Sequence, residues 1–323
     1  MRTFFNIVNA ILAIGLVTLP AMAYGQWHQG TDHNPWSVEV GGKFFVRPGQ
    51  DSSDPLITSS ITGQTLFDVK DATSLGNAPA AEVKFNFLSR AGQEWEFRSI
   101  IADWNESSPS ILGPNLDSPF IPDGAVVNLI DFNQTADFFS FDLMSRRSLG
   151  RPGLVWMFGP RYVSSSNTLT TRANTSVNPG DGAPTVNVLV TDSLRARNSM
   201  LGLQAGLEIN KPLTPGIYVS GFAKAGGYFN SIKVDESTTD NFTNNTDSSR
   251  RTRSHESFIG EAGGRIYVDI IPQSAAIYAG YEANWLDGFA AAPAQFLGDG
   301  SGPIHTSNTI FFHGVTFGFR YTY

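Results

Sequence analysis

Five histidines are the chain's whole supply of side chains that titrate near neutrality, and no cysteine accompanies them. The missing thiol excludes thiolate zinc sites, iron–sulfur clusters, cysteine nucleophiles, a disulfide framework and an acylated lipoprotein N-terminus. His28 and His33 fall in the N-terminal segment, His305 in a loop-like stretch and His313 in an aromatic strand. His255, beside Ser254, Glu256 and Ser257, is the one place where a nucleophile–base–carboxylate set could assemble. Its plainer reading is a rim histidine in water. No histidine pair stands at strand or helix spacing, so no metal site is expected. Gly226-Gly227 and Gly263-Gly264 precede no helical pattern, which makes them aids to strand bending rather than phosphate cradles. No catalytic, cofactor-binding or metal-binding residue is assigned.

The chemistry lies instead in how charges are spaced. Only 16% of the 323 residues are charged, against about 25% in an average soluble domain. The formal net charge of −7 offers phosphates no cationic footprint, which argues against a nucleic-acid binder. Period-two alternation recurs along the chain where helical periodicity does not. In Asn308–Tyr323 the odd positions read Phe311, His313, Val315, Phe317, Phe319, Tyr321 and Tyr323, opposed by Phe312, Gly314, Thr316, Gly318, Arg320 and Thr322. Met200–Asn210, Phe258–Ile270 and Ala275–Trp285 alternate as clearly; 36–47, 80–88, 94–105, 135–146, 153–166 and 215–235 do so more weakly. That gives ten strands. Long Pro-, Gly-, Ser- and Asn-rich links (48–79, 106–134, 167–193, 236–253, 290–306) alternate with tight turns (89–93, 147–152, 211–214, 271–273).

This pattern predicts an all-β fold, an antiparallel up-and-down transmembrane β-barrel with short periplasmic turns and long outer loops. A secreted β-sandwich is the competing architecture. Strand length and a lumen-like polar face argue against it, as do Tyr and Trp at strand ends (Trp36, Trp95, Trp104, Trp156, Tyr162, Tyr281, Trp285, Tyr321, Tyr323). Twelve strands remain the alternative count, since 55–70 could add a hairpin.

The inward positions collect nine acids: Glu39, Glu82, Glu94, Glu96, Asp142, Glu208, Glu261, Asp269 and Glu282. Nine bases join them: Lys43, Arg47, Lys84, Arg98, Arg146, Arg161, Lys224, Arg265 and Arg320. A lumen of one sign selects ions of the other, whereas a balanced set in a narrow barrel pairs across it. The expectation is a structural polar core or a small diffusion pore. Arg250-Arg251-x-Arg253 is the one basic cluster; it could meet lipid phosphates at an outer strand end, or sit in a solvated loop.

The termini supply an address. Arg2, the apolar run Ala10–Leu19 and Ala21-Met22-Ala23 make an export signal over 1–23, cut after Ala23. Losing Arg2 leaves 21 bases against 29 acids, a net charge of −8. A periplasmic tail over 24–35 and a barrel over 36–323 follow. Thr316, Gly318, Tyr321 and Tyr323 fit the terminal signal of bacterial outer-membrane proteins, which implies insertion by the barrel-assembly machinery.

Across 150–323 the order of motifs is specific: Phe158-Gly159-Pro160-Arg161-Tyr162, Asn198-x-x-Leu201-Gly202-x-Gln204-x-Gly206, then Lys224-Ala225-Gly226-x-Tyr228-x-Asn230. Gly260-Glu261, Gly280-Tyr281-x-Ala283-x-Trp285-Leu286-Asp287-Gly288 and Ala292-Pro293-x-Gln295 complete it. This series resembles the porin-like outer-membrane β-barrel family typical of planctomycetes; residues 36–149 match only loosely. The resemblance implies location and fold, and no catalytic residues. The expected protein is a monomer of the outer membrane, in contact with lipid and lipopolysaccharide. Its role is porin-like passage of small polar solutes or, alternatively, a structural or surface-interaction barrel displaying its loops.

Overall fold

The computed structural model describes residues 36–49, 55–89, 93–107, 110–117, 126–150, 152–177, 186–241, 246–295, 303–306 and 308–323. The expected export signal (1–23) and tail (24–35), with His28 and His33, lie outside these residues. Thirteen strands follow in order: β1 (Trp36–Val46), β2 (Pro55–Ser59), β3 (Thr65–Asp68), β4 (Asn77–Leu88), β5 (Glu94–Ser107), β6 (Ile111–Asp117) and β7 (Val126–Ser148). Then come β8 (Leu154–Val177), β9 (Val186–Thr214), β10 (Ile217–Asp240), β11 (Thr246–Ile271), β12 (Ala275–Phe289) and β13 (Asn308–Thr322).

Ten of them close a ring of antiparallel neighbours, β1-β4-β5-β7-β8-β9-β10-β11-β12-β13, with β13 returning to β1 from Ser37↔Thr322 to Val46↔His313. Closure removes the unpaired edges that an open sheet would expose. The remaining three, β2, β3 and β6, attach to β7 at the end of the ring that carries the long links. Residues 55–68 therefore do form a hairpin, but it is not two further staves of the ring.

Two links are largely strand. β8 runs to Val177, β9 starts at Val186, β10 runs to Asp240 and β11 starts at Thr246, so 167–193 and 236–253 are mostly paired backbone. Their Ser-, Thr- and Asn-rich composition reads locally as loop, whereas a neighbouring strand far off in sequence supplies the hydrogen bonds. β9 reaches 29 residues and β11 reaches 26. A tilted strand crosses a hydrocarbon layer in about 9–11 residues. Most of their length is left over. At the other end the turns are tight, and Gly153 (φ +78°) and Gly216 (φ +76°) supply the left-handed backbone they need.

Side-chain parity holds along each strand while its chemistry inverts. On β9, Leu201, Leu203, Leu207 and Ile209 are exposed outward, and Gln204 and Glu208 are buried inside. Beyond Ser199 the outward residues become Arg197, Arg195 and Ser193, and the inward ones Ala196 and Leu194. The lower tier, toward the turns, is thus apolar outside and polar inside. The upper tier, toward the links, is polar outside and apolar inside. Phe44-Phe45, Phe138-Phe139 and Phe311-Phe312 sit at the boundary, with one ring outward and the next buried.

Candidate functional site

The ring's interior is the site where its charges, its cross-strand partners and any solute would meet. In the lower tier, side chains from strands that are not neighbours bind across the lumen. Arg265 on β11 donates to Glu39 at 2.9 Å and to Glu82 at 2.6 Å. Lys43 bridges Glu82 and Glu282, the latter at 2.6 Å. Arg98 reaches Glu261 and, at 3.1 Å, Glu282; Arg161 adds a second bond to Glu261 at 3.0 Å. Arg146 joins Glu94, Glu96 and Glu208, and Lys224 reaches Glu96 from the far side at 3.1 Å. Lys84 lies 3.2 Å from Glu39. The result is one continuous lattice of cations and carboxylates.

Burial makes this lattice expensive to disturb. Arg161 and Glu261 are 1% and 0% exposed, so a lost partner would leave a charge in a dry interior. Glycines make the space: a Cβ at Gly280 would lie 2.8 Å from Cγ of Arg265, and one at Gly206 would lie 2.8 Å from Cγ of Lys224. Asp142 is also buried, flanked in register by Arg98 and Arg161; its carboxylate has no hydrogen-bond partner among the described residues. Near the turns, Arg320 donates to the Tyr218 hydroxyl at 3.1 Å, and Tyr218 stacks on Tyr267 at 4.7 Å. Arg320 and half-buried Asp269 line an open mouth of about 430 Å³. Farther in, a hollow lined by Lys84, Glu96, Arg98, Glu208 and Lys224 has a volume of about 20 Å³, room for roughly one water.

Above the lattice lies an aromatic layer. Phe312 meets Phe45 at 5.0 Å, Phe138 at 5.3 Å and Trp104 at 5.9 Å between ring centres. Trp104 is 3% exposed and packs inside the barrel. It does not belong to an interfacial girdle, as its place near a strand end suggests. Trp36 does lie on the outer surface: its indole stacks on Tyr323 at 5.4 Å, and the Tyr323 N–H donates to the Trp36 carbonyl at 3.0 Å. On the same strand Tyr321 faces outward, while Thr316 is buried and Gly318 half-buried inside.

The upper tier is filled by the chain's own links. Ala290 and Ala292 are buried, together with Leu56, Ile57, Phe67 and Ile304, against Leu169, Leu194, Ile232 and Val234 of the wall, while Phe289 and Ala291 pack into the aromatic layer with Trp104 and Phe312. Three inward asparagines clasp this plug by its backbone. Asn198 donates to the Ala290 carbonyl at 2.9 Å and accepts from the Ala290 N–H at 3.0 Å. Asn167 accepts from the Ala292 N–H at 3.2 Å, and Asn230 donates to the Gly288 carbonyl at 3.1 Å. Gln295 exchanges two bonds with the backbone of His305.

Asn198 and Asn230 were legible only as motif letters, and Asn167 fell at the start of the 167–193 link. Asn198 and Asn230 stand in inward rows that are otherwise apolar, a signal of a polar partner whose identity the sequence withholds. The His255 imidazole makes no hydrogen bond among the described residues. Alternation turns Ser254 and Glu256 to the opposite face, and Ser257 donates instead to the Gly288 carbonyl. Alternation also splits the basic cluster, which lies in a strand rather than a loop. Arg250 faces out to Asp235, Arg251 lies 3.8 Å from Glu236, and Arg253 donates to the Ile304 carbonyl.

No protein-family model matches the chain, and no curated protein matches it. Solved structures similar to it include the outer membrane protease OmpT from Escherichia coli, at 12% identity and a TM-score of 0.45 over 92% of this chain and 99% of that one. The translocator domain of the autotransporter NalP from Neisseria meningitidis gives 11% identity and 0.42 over 98% and 97%. A major outer membrane protein from Thermus thermophilus gives 12% identity and 0.35 over 90% and 100%. At these values nothing of those proteins' activities passes to this chain.

Proposed function

We propose that this protein is an outer-membrane β-barrel with an occluded lumen, whose working surface is its outside and its raised upper tier rather than a solute path. The observation that carries the reading is the inversion of chemistry along single strands. A wall that is apolar outside a charged lattice suits lipid, and a wall that is polar outside an apolar plug suits water. The apolar belt then marks the membrane, the turns face the periplasm and the upper tier stands outside the cell. An export signal over 1–23 and a terminal strand read by the barrel-assembly machinery through Thr316, Gly318, Tyr321 and Tyr323 belong to the same reading. So do a monomeric state and membership of the porin-like planctomycete family, whose quoted residues Arg161, Asn198, Gln204, Lys224, Asn230, Glu261 and Gln295 all line the lattice or the clasp. No catalysis is assigned.

Porin-like passage of small polar solutes is the second reading. The balanced lattice favours it, because a channel opened by release of the plug would run between charges of both signs without strong selection. Planar-bilayer recording separates the two. The occluded reading expects wild-type protein to insert, show heat-modifiable migration on gels and remain electrically silent; steady open steps from wild type would favour the porin.

A further inference from the structure

The outward face of β8–β11 changes character row by row just past the apolar belt. Tyr162, Leu201 and Phe229 are neighbours in register, and Phe229 is 80% exposed. One row further, four serines stand side by side across four strands: Ser164, Ser199, Ser231 and Ser254. The next row sets Arg197 directly opposite Lys233, and the one after that sets Arg195 and Arg250 either side of Asp235. Like charges directly opposed on adjacent strands repel.

Asp235 relieves part of that repulsion. It takes a hydrogen bond from Arg197 and another from Arg250 at 2.5 Å. Arg195 donates to the Ser166 hydroxyl at 2.9 Å, and Lys233 has no ion pair among the described residues. Asp235 is the carboxylate among these four cations, with Asp137 on β7 at one end of the Arg197 row and Glu256 on β11 beside Phe229. Rows two residues apart are about 7 Å apart along a strand. The serines therefore lie at the edge of the belt, with Arg197 and Lys233 one row higher and Arg195 and Arg250 two rows higher, whose long stems can reach back toward a lipid interface. Followed the other way around the wall, the row of Arg197 continues through Ser166 to Asp137 and Asp103, so the cationic patch ends at β8.

We infer that this sector binds the phosphates of an outer-leaflet lipid, with Arg197, Lys233, Arg195 and Arg250 as the charge partners and the serine row as additional hydrogen-bond donors. The inference rests on the membrane reading above and names a ligand class for it. Lipid acyl chains would lie along Tyr162, Leu201 and Phe229, and the headgroup phosphate would remove the repulsion between Arg197 and Lys233 that the fold leaves in place. A phosphate free in solution has the charge but gains nothing from the belt below.

The test uses the full mature chain folded in detergent micelles, titrated with bis-phosphorylated lipid A, with dephosphorylated lipid A and with inorganic phosphate. Bound lipid is read by native mass spectrometry. Wild type should hold the phosphorylated form, and a combined Arg197→Gln, Lys233→Gln, Arg250→Gln variant should hold it about tenfold or more weakly. Asp235→Asn, which removes the competing carboxylate, should bind no more weakly than wild type. Equal retention of phosphorylated and dephosphorylated lipid, equal retention by the neutralised variant, or binding of inorganic phosphate with the same residue dependence would each overturn the inference. Heat-modifiable migration is read on the same samples. A folded barrel without phosphate preference sinks the patch alone, whereas no barrel at all sinks the membrane reading and the patch with it.

Discussion

The lower and upper tiers of this barrel solve opposite problems with one backbone. In the lower tier the surroundings are apolar, so the wall puts Leu207 and Ile209 outside and must hide Glu208, Arg146 and Lys224 among partners inside. In the upper tier the outer face carries Ser193, Arg195 and Lys233, and the interior is packed with Leu194, Ile232 and Val234. The strands do not break between them. The difference teaches that sidedness in a β-barrel is set by the solvent on its outside, and that the lumen takes whatever chemistry is left over. It also explains two different locks: the lower tier is closed by ion pairs, the upper by apolar packing and backbone clasps.

The comparison can be broken most forcefully in the lattice. Arg265→Ala removes a cation shared by Glu39 and Glu82 in a buried layer, leaving Lys84 beside the first and Lys43 beside the second. The expected loss is about 3–5 kcal/mol, seen as a lower unfolding temperature in detergent. Wild-type stability would show that the layer is wet and its charges independent. Next in size comes the outer surface. Leu207→Arg should cost about 2–4 kcal/mol if this residue faces the middle of a bilayer, while Ser193→Arg on the same strand should stay within about 0.5 kcal/mol. Urea unfolding from liposomes measures both, and equal effects would erase the distinction between tiers.

A smaller effect is expected at the clasp. Asn198→Ala leaves the N–H and carbonyl of Ala290 without their side-chain partner, at about 1–3 kcal/mol for a buried polar group. The same variant should show intermittent current steps in planar bilayers, because the plug is held on that wall. Silence at wild-type stability would mean that packing alone retains it. The least change in folded-state stability belongs to Tyr323, where Tyr323→Phe keeps the ring against Trp36 and should be nearly silent. Tyr323→Asp should instead slow assembly, read as periplasmic accumulation and lost heat-modifiable migration. Normal amounts of Tyr323→Asp in the outer membrane would remove this residue from the insertion signal.

Much of the lower tier was legible in the sequence because its two faces differ sharply in chemistry. The alternation Leu201, Leu203, Leu207 against Gln204, Glu208 needs only the period of a strand. Much of the upper tier was read as loop because Thr168, Thr170 and Thr171 leave Leu169 as a lone hydrophobic signal, and their pairing with 192–195 is non-local. Trp104 misled for a related reason. A strand-end tryptophan suits an interface or a core equally well, and strand parity decides: Trp104 shares the inward register of Glu96 and Arg98 and meets Phe312 there. The clasp was hidden because Asn198 and Ala290 are joined across 92 positions by geometry that no spacing rule encodes. Which link fills a lumen is a property of packing.

The most direct measurement exploits the absence of cysteine, which lets one thiol be placed at will. A fluorophore on single cysteines at 193, 195, 199, 203 and 207 along β9, in liposomes containing lipids with quenchers at known acyl depths, reports which of these outward positions touch hydrocarbon. The account predicts strong quenching at 203 and 207, weak quenching at 199 and none at 195 or 193. Quenching that continues unchanged to 193, or its absence at 207, would contradict a boundary between lipid and water at the serine row.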